Sequence, residues 1–185
     1  MVKKRVQFPL PAHEQKQSER AVFVLAAVCY YIGKGDYSMR SIILYVSIHH
    51  QNTAKVARAL AEAAGAELVD LASGKAPADL KGYDLVGFGS GIYFERHHRL
   101  IFKFLKTAAL SKKCFIFSTC GLPFPIMHWA LRRGLKAKGV EIVGELILKG
   151  LDTVGPLAWF GGLNKGHPNE KDLEKAREFI KKISA

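Results

Sequence analysis

The chain has 185 residues, 49% of them hydrophobic and 24% charged, with a formal net charge of +12. That length builds one well-cored domain and is short for two. Three cysteines are an odd number, and Cys114 sits in an apolar strand-like run, which argues against a secreted disulfide framework and for a reducing, cytoplasmic setting; no apolar run reaches the roughly 18 residues that span a bilayer.

Residues 1–38 differ from the rest. A polar opening is followed by "AVFVLAAVCYYIG", 13 apolar or small residues, which resembles the core of a signal peptide. About 20 residues precede it, however, and no small-x-small cleavage site follows. We read this segment as an optional extension upstream of a start at Met39, a weak membrane-associating leader being the other reading. Residues 39–185 form the domain.

From residue 40 the pattern alternates. "SIILYV" reads as a strand buried on both faces. In "TAKVARALAEAAG", Val56, Leu60 and Ala63 or Ala64 recur at helical spacing, with Asn52 as cap and Gly65 as terminator. "AELVDLA" and "YDLVGFG" are the second and third strands. Leu100, Ile101, Phe104 and Leu105 mark one face of a helix, "KKCFIFST" is a fourth strand, and "MHWALRRGLKAKG" is a helix closed by Gly139. "VEIVGELIL" is a fifth strand. The last helix starts at the cap Asn169, with acids in its first turn and lysines in its last, matching the helix dipole. Five strands alternating with helices predict an α/β fold: a five-stranded parallel sheet in order 2-1-3-4-5 with helices on both faces.

In such a sheet, ligands bind at the carboxyl ends of the strands where the order reverses. That points to "SIHHQNT", "GSGIYFERHH" and "STCGLPFP". The first loop leaves a strand and opens a helix, so its free amides and the positive end of the dipole suit a phosphate. Ser47 and Thr53 add hydroxyls and no lysine or arginine lies between them, so an anion there is held mostly by hydrogen bonds. The plainer reading is that Asn52 and Thr53 only cap the helix.

Together the three loops resemble the flavodoxin family, over nearly all of residues 41–185. The family's first loop runs serine or threonine, a few residues, then glycine, asparagine, threonine. Here Ser47, Asn52 and Thr53 match, and Gln51 replaces the glycine, which would take positive backbone torsions without cost. "FGSGIYF", "FSTCG" and "GGLNKGHPNEKDLEKAREF" look like the flavin-flanking loop, the fourth-strand loop and the carboxyl-terminal segment of a small flavodoxin-like subgroup. The resemblance implies a flavodoxin-like three-layer sandwich that binds FMN. It implies phosphate contacts from the loop of Ser47, Gln51, Asn52 and Thr53, to which His49 or His50 would add a phosphate or ring-edge contact, and pliable backbone at Gly89, Ser90 and Gly91, running on through Ile92. Tyr93 or Phe94 would stack on the ring, and Ser118, Thr119, Cys120 and Gly121 would border its pyrimidine edge. No side chain need act as acid or base.

Other features carry less. The pairs His49 with His50 and His97 with His98 each offer one ligand at best to a single ion, because neighbouring side chains diverge; no metal is expected. Cys120 has no nearby partner cysteine. The "KGLDTVGPLAWFGGLNKGHP" connection, about 20 residues, is long enough to be functional or mobile, and its Trp159 and Phe160 read as packing residues. No nicotinamide or nucleoside triphosphate fingerprint occurs.

Setting aside six basic and three acidic residues of the extension leaves 22 against 13, or +9, on residues 40–185. Flavodoxins that serve as carriers tend to be acidic. A basic carrier should dock an acidic redox protein; scattered basic residues without an aromatic-basic signature do not favour nucleic acid. The expected function is FMN-dependent electron transfer by a monomer or homodimer. The alternatives are an NAD(P)H-dependent quinone reductase and a flavin-free binding module with a basic surface.

Overall fold

The computed structural model describes residues 39–153 and 162–185. The readings made for residues 1–38, and for Trp159 and Phe160, lie outside them. In chain order the elements are β1 (Ser41–Val46), α1 (Asn52–Ala64), β2 (Glu67–Asp70), β3 (Leu85–Tyr93), β4 (Arg96–His97), α2 (Arg99–Thr107), β5 (Lys113–Cys120), α3 (Trp129–Ala137), β6 (Glu141–Lys149) and α4 (Glu170–Ser184). Among the described residues, no helix is long and apolar enough to cross a membrane.

The main sheet runs β2-β1-β3-β5-β6 with every neighbouring pair parallel. These are the five expected strands in the expected order. The addition is β4, which folds back antiparallel on the end of β3 and sets Ile92 opposite His97 and Tyr93 opposite Arg96. Two residues are too few to leave a periodic signal in sequence.

Strand alternation sends successive side chains to opposite faces. Ile42, Leu44 and Val46 of β1 pack on one face with Ile101 and Leu105 of α2 and Leu131 and Leu135 of α3. Ile43 packs on the other face with Val56 and Leu60 of α1 and Ala176 and Ile180 of α4. Full burial of a Leu or Ile side chain contributes roughly 1.5–3 kcal/mol, so a continuous apolar run on β1 is what holds both helix layers to the sheet.

Helix ends follow local chemistry. Gly65 ends α1 at φ 60 with its N–H on the Ala61 carbonyl. Asn169 opens α4 with a full capping box: its side chain accepts from the Asp172 N–H, and the Asp172 carboxylate accepts from the Asn169 N–H.

Gly89 of β3 has a different role from the one expected, and Gly87 shares it. Phe115 and Phe117 are the cross-strand partners of Gly87 and Gly89, and their rings lie across those glycines. A Cβ at Gly87 would fall 2.4 Å from the Phe115 ring, and one at Gly89 would fall 2.1 Å from the Phe117 ring. Gly89 also pairs with Tyr45 on its other side, so its backbone belongs to the sheet. It is a packing glycine, not the pliable loop residue expected from sequence.

Candidate functional site

The carboxyl ends of β1, β3, β5 and β6 enclose a cleft. Of the residues singled out in sequence, it brings together Ser47, His49, His50, Asn52, Thr53, Gly91, Ile92, Tyr93, Thr119, Cys120 and Gly121. Gln51, Gly89, Ser90, Phe94 and Ser118 are not in its lining.

The loop from β1 to α1 makes a left-handed step before the helix begins. His50 and Gln51 take φ values of 53 and 55, so Gln51 adopts the torsion that a glycine would take freely. The left-handed region costs a residue with a Cβ roughly 1–2 kcal/mol, part of which glycine returns through the entropy of its unfolded chain. Gln51→Gly should therefore stabilise the fold by up to about 1 kcal/mol, a rise in Tm of about 2–4 °C in thermal unfolding. A fall in Tm would mean that the glutamine is not strained.

Asn52 does not cap α1. The cap position is held by Gln51, and no side chain there accepts from the helix amides. Because the left-handed step brings Asn52 into the first turn, its Nδ2 instead donates across the cleft to the Leu151 carbonyl at 2.9 Å. The Thr53 hydroxyl bonds that of Thr119 at 2.8 Å, tying α1 to the end of β5. This first turn is buried, with Asn52, Thr53 and Ala54 at 8%, 2% and 1% exposure. At the start of the same loop, the Ser47 Oγ is buried without a partner. A helix end that is buried and uncapped leaves strong N–H donors without an acceptor, and here a hydroxyl joins them.

The β3–β4 hairpin forms the second wall. Its turn is Phe94-Glu95, both at positive φ, as a two-residue hairpin requires. That turn carries Phe94 fully into solvent. Of the two aromatics expected to stack on a ligand, only Tyr93 remains on the cleft. Its ring packs edge-on against His98 at 5.4 Å and lies 6.2 Å from His49.

Ser90 and Ser118 lie below the cleft because β3 and β5 run on past them. The Ser90 hydroxyl donates to the Gly91 carbonyl at 2.7 Å, accepts from the His98 N–H at 2.9 Å and meets Nδ1 of His97 at 3.0 Å. Ser118 belongs to a buried relay that sequence spacing did not reveal. The carboxylate of Glu145 can only accept, so Nδ1 of His128 carries the proton it donates at 2.9 Å, and Nε2 accepts from the Ser118 hydroxyl at 2.8 Å. Arg132 grips the same carboxylate with two N–H groups, each at 2.7 Å.

His97 and His128 are buried, with ring centroids 4.9 Å apart. Burial, and then the charge of His128, pushes His97 down to about 3. Burial also lowers His128, with Glu145 opposing. His97 is neutral in the fold at neutral pH and burial disfavours a proton on His128, whereas in the unfolded chain each takes a proton near pH 6.5. Below that pH the unfolded state binds more protons, so His97 should make stability fall as pH drops from about 6.5 towards 3, by up to about 1.4 kcal/mol per pH unit, and His128 acts in the same direction. Urea unfolding at pH 7 and pH 5 checks this, and a flat profile would contradict it.

The wall of Leu151 to Thr153, after β6, was the one the sequence did not assign. Thr153 bonds Nε2 of His50 at 2.8 Å, and Asp152 packs so closely on Gly121 that a Cβ there would lie 2.5 Å from its Oδ2. The unusual length of the connection after β6 was the available signal. Cys120 is pushed up to about 11 by burial and then by Asp152; the thiol stays protonated at neutral pH and is a poor nucleophile. Among the described residues, no group of three or more His, Cys, Asp or Glu side chains is placed to hold a metal ion.

Comparison with known proteins bears on this arrangement. A family model described as a flavodoxin domain matches residues 42–139. A protein named uncharacterized protein MJ0298, from Methanocaldococcus jannaschii, is 51% identical over 148 residues, which cover 78% of this chain and 98% of that one. Among solved structures, oxidised flavodoxin 1 from Bacillus cereus superposes with a TM-score of 0.58 at 17% identity, over 77% of this chain and 96% of that one. General stress protein 14 from Treponema denticola, solved in complex with FMN, gives 0.53 at 9% identity over 78% and 99%. These two structures share the fold.

Proposed function

Because this chain belongs to the flavodoxin family, we propose that its cleft binds one FMN noncovalently and that the protein carries electrons between redox partners. FMN, when bound, supplies the redox chemistry, exchanging one or two electrons. The observation that carries the proposal is the buried, uncapped first turn of α1 beside a buried Ser47 hydroxyl with no partner. Those donors suit a phosphate, which accepts hydrogen bonds at several oxygens and is favoured at a helix N-terminus. The residues of the loop supply neutral hydrogen bonds, with no lysine or arginine from Ser47 to Thr53.

The remaining residues position a flat ring. Tyr93 offers an aromatic face, and Gly91, Cys120 and Gly121 bring backbone to the opposite side. The loop of Leu151 to Thr153, tied to Asn52 and His50, closes the phosphate end against water. The +9 charge of residues 40–185 steers an acidic protein partner towards the molecule, at a rate that falls as salt rises.

Titration with FMN and with riboflavin, which lacks the phosphate, tests the site. FMN should bind far more tightly. Ser47→Ala should weaken FMN by about 10- to 100-fold, the loss of one hydrogen bond to a charged group, and leave riboflavin unchanged. Equal affinity for the two flavins would overturn the phosphate assignment.

A further inference from the structure

The basic residues are less evenly spread than their presence on every helix suggests. From Arg96 to Val140 the chain holds ten lysines and arginines and no aspartate or glutamate, so the rest of residues 40–185 carries twelve basic against thirteen acidic. The positive charge of the domain therefore belongs mainly to one side of it, where α2 and α3 cover a single face of the sheet. Nine of the ten are exposed and form no ion pair among the described residues; the tenth, Arg132, is held by Glu145.

At the cleft end of that layer the chain exposes an apolar turn. Leu122, Pro123, Phe124, Pro125 and Ile126 follow Gly121 of the cleft wall, and all five are exposed. Leu122, Phe124, Ile126 and the first residue of α3, Trp129, keep 57%, 53%, 68% and 48% exposure. Single exposed apolar side chains are ordinary, but a contiguous group of them marks a surface that something covers. The turn and α3 both pack on β4, which sets Arg96 beside them, and Ala130 shares a cavity wall with Arg96 and Arg99. The Arg133 guanidinium lies over the Trp129 ring, 5.4 Å from its centroid.

Backbone chemistry indicates what kind of surface covers the turn. The carbonyls of Leu122, Phe124, Pro125 and Ile126 accept from the Cys120 thiol, the Met127 N–H, the Arg132 guanidinium and the Trp129 N–H respectively, and Pro123 and Pro125 have no N–H to satisfy. A turn whose polar backbone is spent internally loses little on leaving water. A protein or nucleic-acid partner takes its register from polar groups and a pattern of charge, and a second copy of this chain would bring like charges face to face. Lipid headgroups need only cations of one sign in no fixed pattern, beside apolar and aromatic side chains that enter the acyl boundary.

We propose that this end of the molecule docks reversibly on an anionic membrane surface, with Leu122, Phe124, Ile126 and Trp129 entering the headgroup–acyl boundary and Arg96, Arg99 and Arg133 on lipid phosphates. The protein then lies on the bilayer and does not span it. The charge that steers an acidic protein in solution is the charge of this same face; the apolar turn is what charge alone leaves unexplained. Docking does not depend on the cleft holding a flavin.

Co-sedimentation of the full chain with phosphatidylcholine vesicles, with and without about one third phosphatidylglycerol, tests this. The anionic vesicles should bind about tenfold or more tighter than the neutral ones, and less so as salt rises. Phe124→Ser/Ile126→Ser, at two exposed positions, should weaken that binding about tenfold or more. Arg96→Gln/Arg133→Gln should weaken it about 10- to 30-fold, at about fivefold for each cation near the surface. Both variants should keep the Tm of the parent. No binding to anionic vesicles, equal binding to the two kinds, or binding that survives Phe124→Ser/Ile126→Ser would each overturn the proposal. The last result is what a purely electrostatic dock for an acidic protein or a nucleic acid gives, and also what attachment through residues 1–38 alone gives.

Discussion

Gly89→Ala should destabilise the protein by about 3 kcal/mol, at the upper end of what overpacking a core costs, and lower Tm by roughly 10 °C for a domain of this size. The added methyl would sit 2.1 Å from the Phe117 ring. That ring has nowhere to go: Phe117 is fully buried and packs with Phe115, centroid to centroid 6.0 Å, in the core under α1 and α4. Gly134 in α3 is the matched control, since a Cβ there meets nothing within 4 Å. Gly134→Ala should gain up to about 1 kcal/mol from helix propensity. Urea unfolding of the two variants beside the parent measures the contrast, and equal stabilities would mean that the rings do not lie across β3 as described.

Glu145→Ala should cost about 2–3 kcal/mol, because it strips the acceptor from a buried imidazole and the partner from a guanidinium at once. The figure is held below that for a fully buried pair because the Glu145 and Arg132 side chains keep 25% and 30% exposure. Glu145→Gln, which can still accept from Nδ1 of His128 but carries no charge, should lose about half as much. Hydrogen bonding from Arg132 first, and from His128 after it, holds the Glu145 carboxyl below its ordinary range. A depressed carboxylate stabilises the fold above its unfolded value and loses that contribution as pH falls through the folded one. The deficit of Glu145→Ala should therefore be full at pH 7 and shrink on acidification below about 4.5. An undiminished deficit at pH 3 would contradict the ion pair. Arg132→Ala combined with Glu145→Ala should be clearly less than additive, as for residues in one network.

The parts of this fold that were legible in sequence are those decided by neighbours along the chain. Gly65 and Asn169 ended and began their helices as expected, since a left-handed cap and a capping box are local devices. Strand order followed from the alternation of strands and helices with their apolar spacing. The misplaced residues came from strand length. β3 continues to Tyr93 and β5 to Cys120, so Ser90, expected in a loop, and Gly89 and Ser118, read where strand passes into loop, are inside the sheet. Sequence spacing does not say where a strand stops when apolar and small residues run into the loop.

Long-range partners were out of reach for a different reason. Ser118, His128, Arg132 and Glu145 meet only because α3 crosses β5 and β6, and Asn52 finds its acceptor at Leu151 rather than in its own helix. Nothing local to Asn52 distinguishes that bond from a cap. The two hydroxyls that the first loop offered in sequence differ in the fold: that of Thr53 is spent on Thr119, while that of Ser47 is buried without a partner.

The most direct test of the flavin assignment is the visible absorption spectrum of the purified full chain, with any released cofactor identified after denaturation. The protein should be yellow and carry about one FMN per chain, or be colourless and acquire a flavin spectrum when FMN is added. A preparation that stays colourless and takes up no FMN even in large excess, while remaining folded, would contradict it.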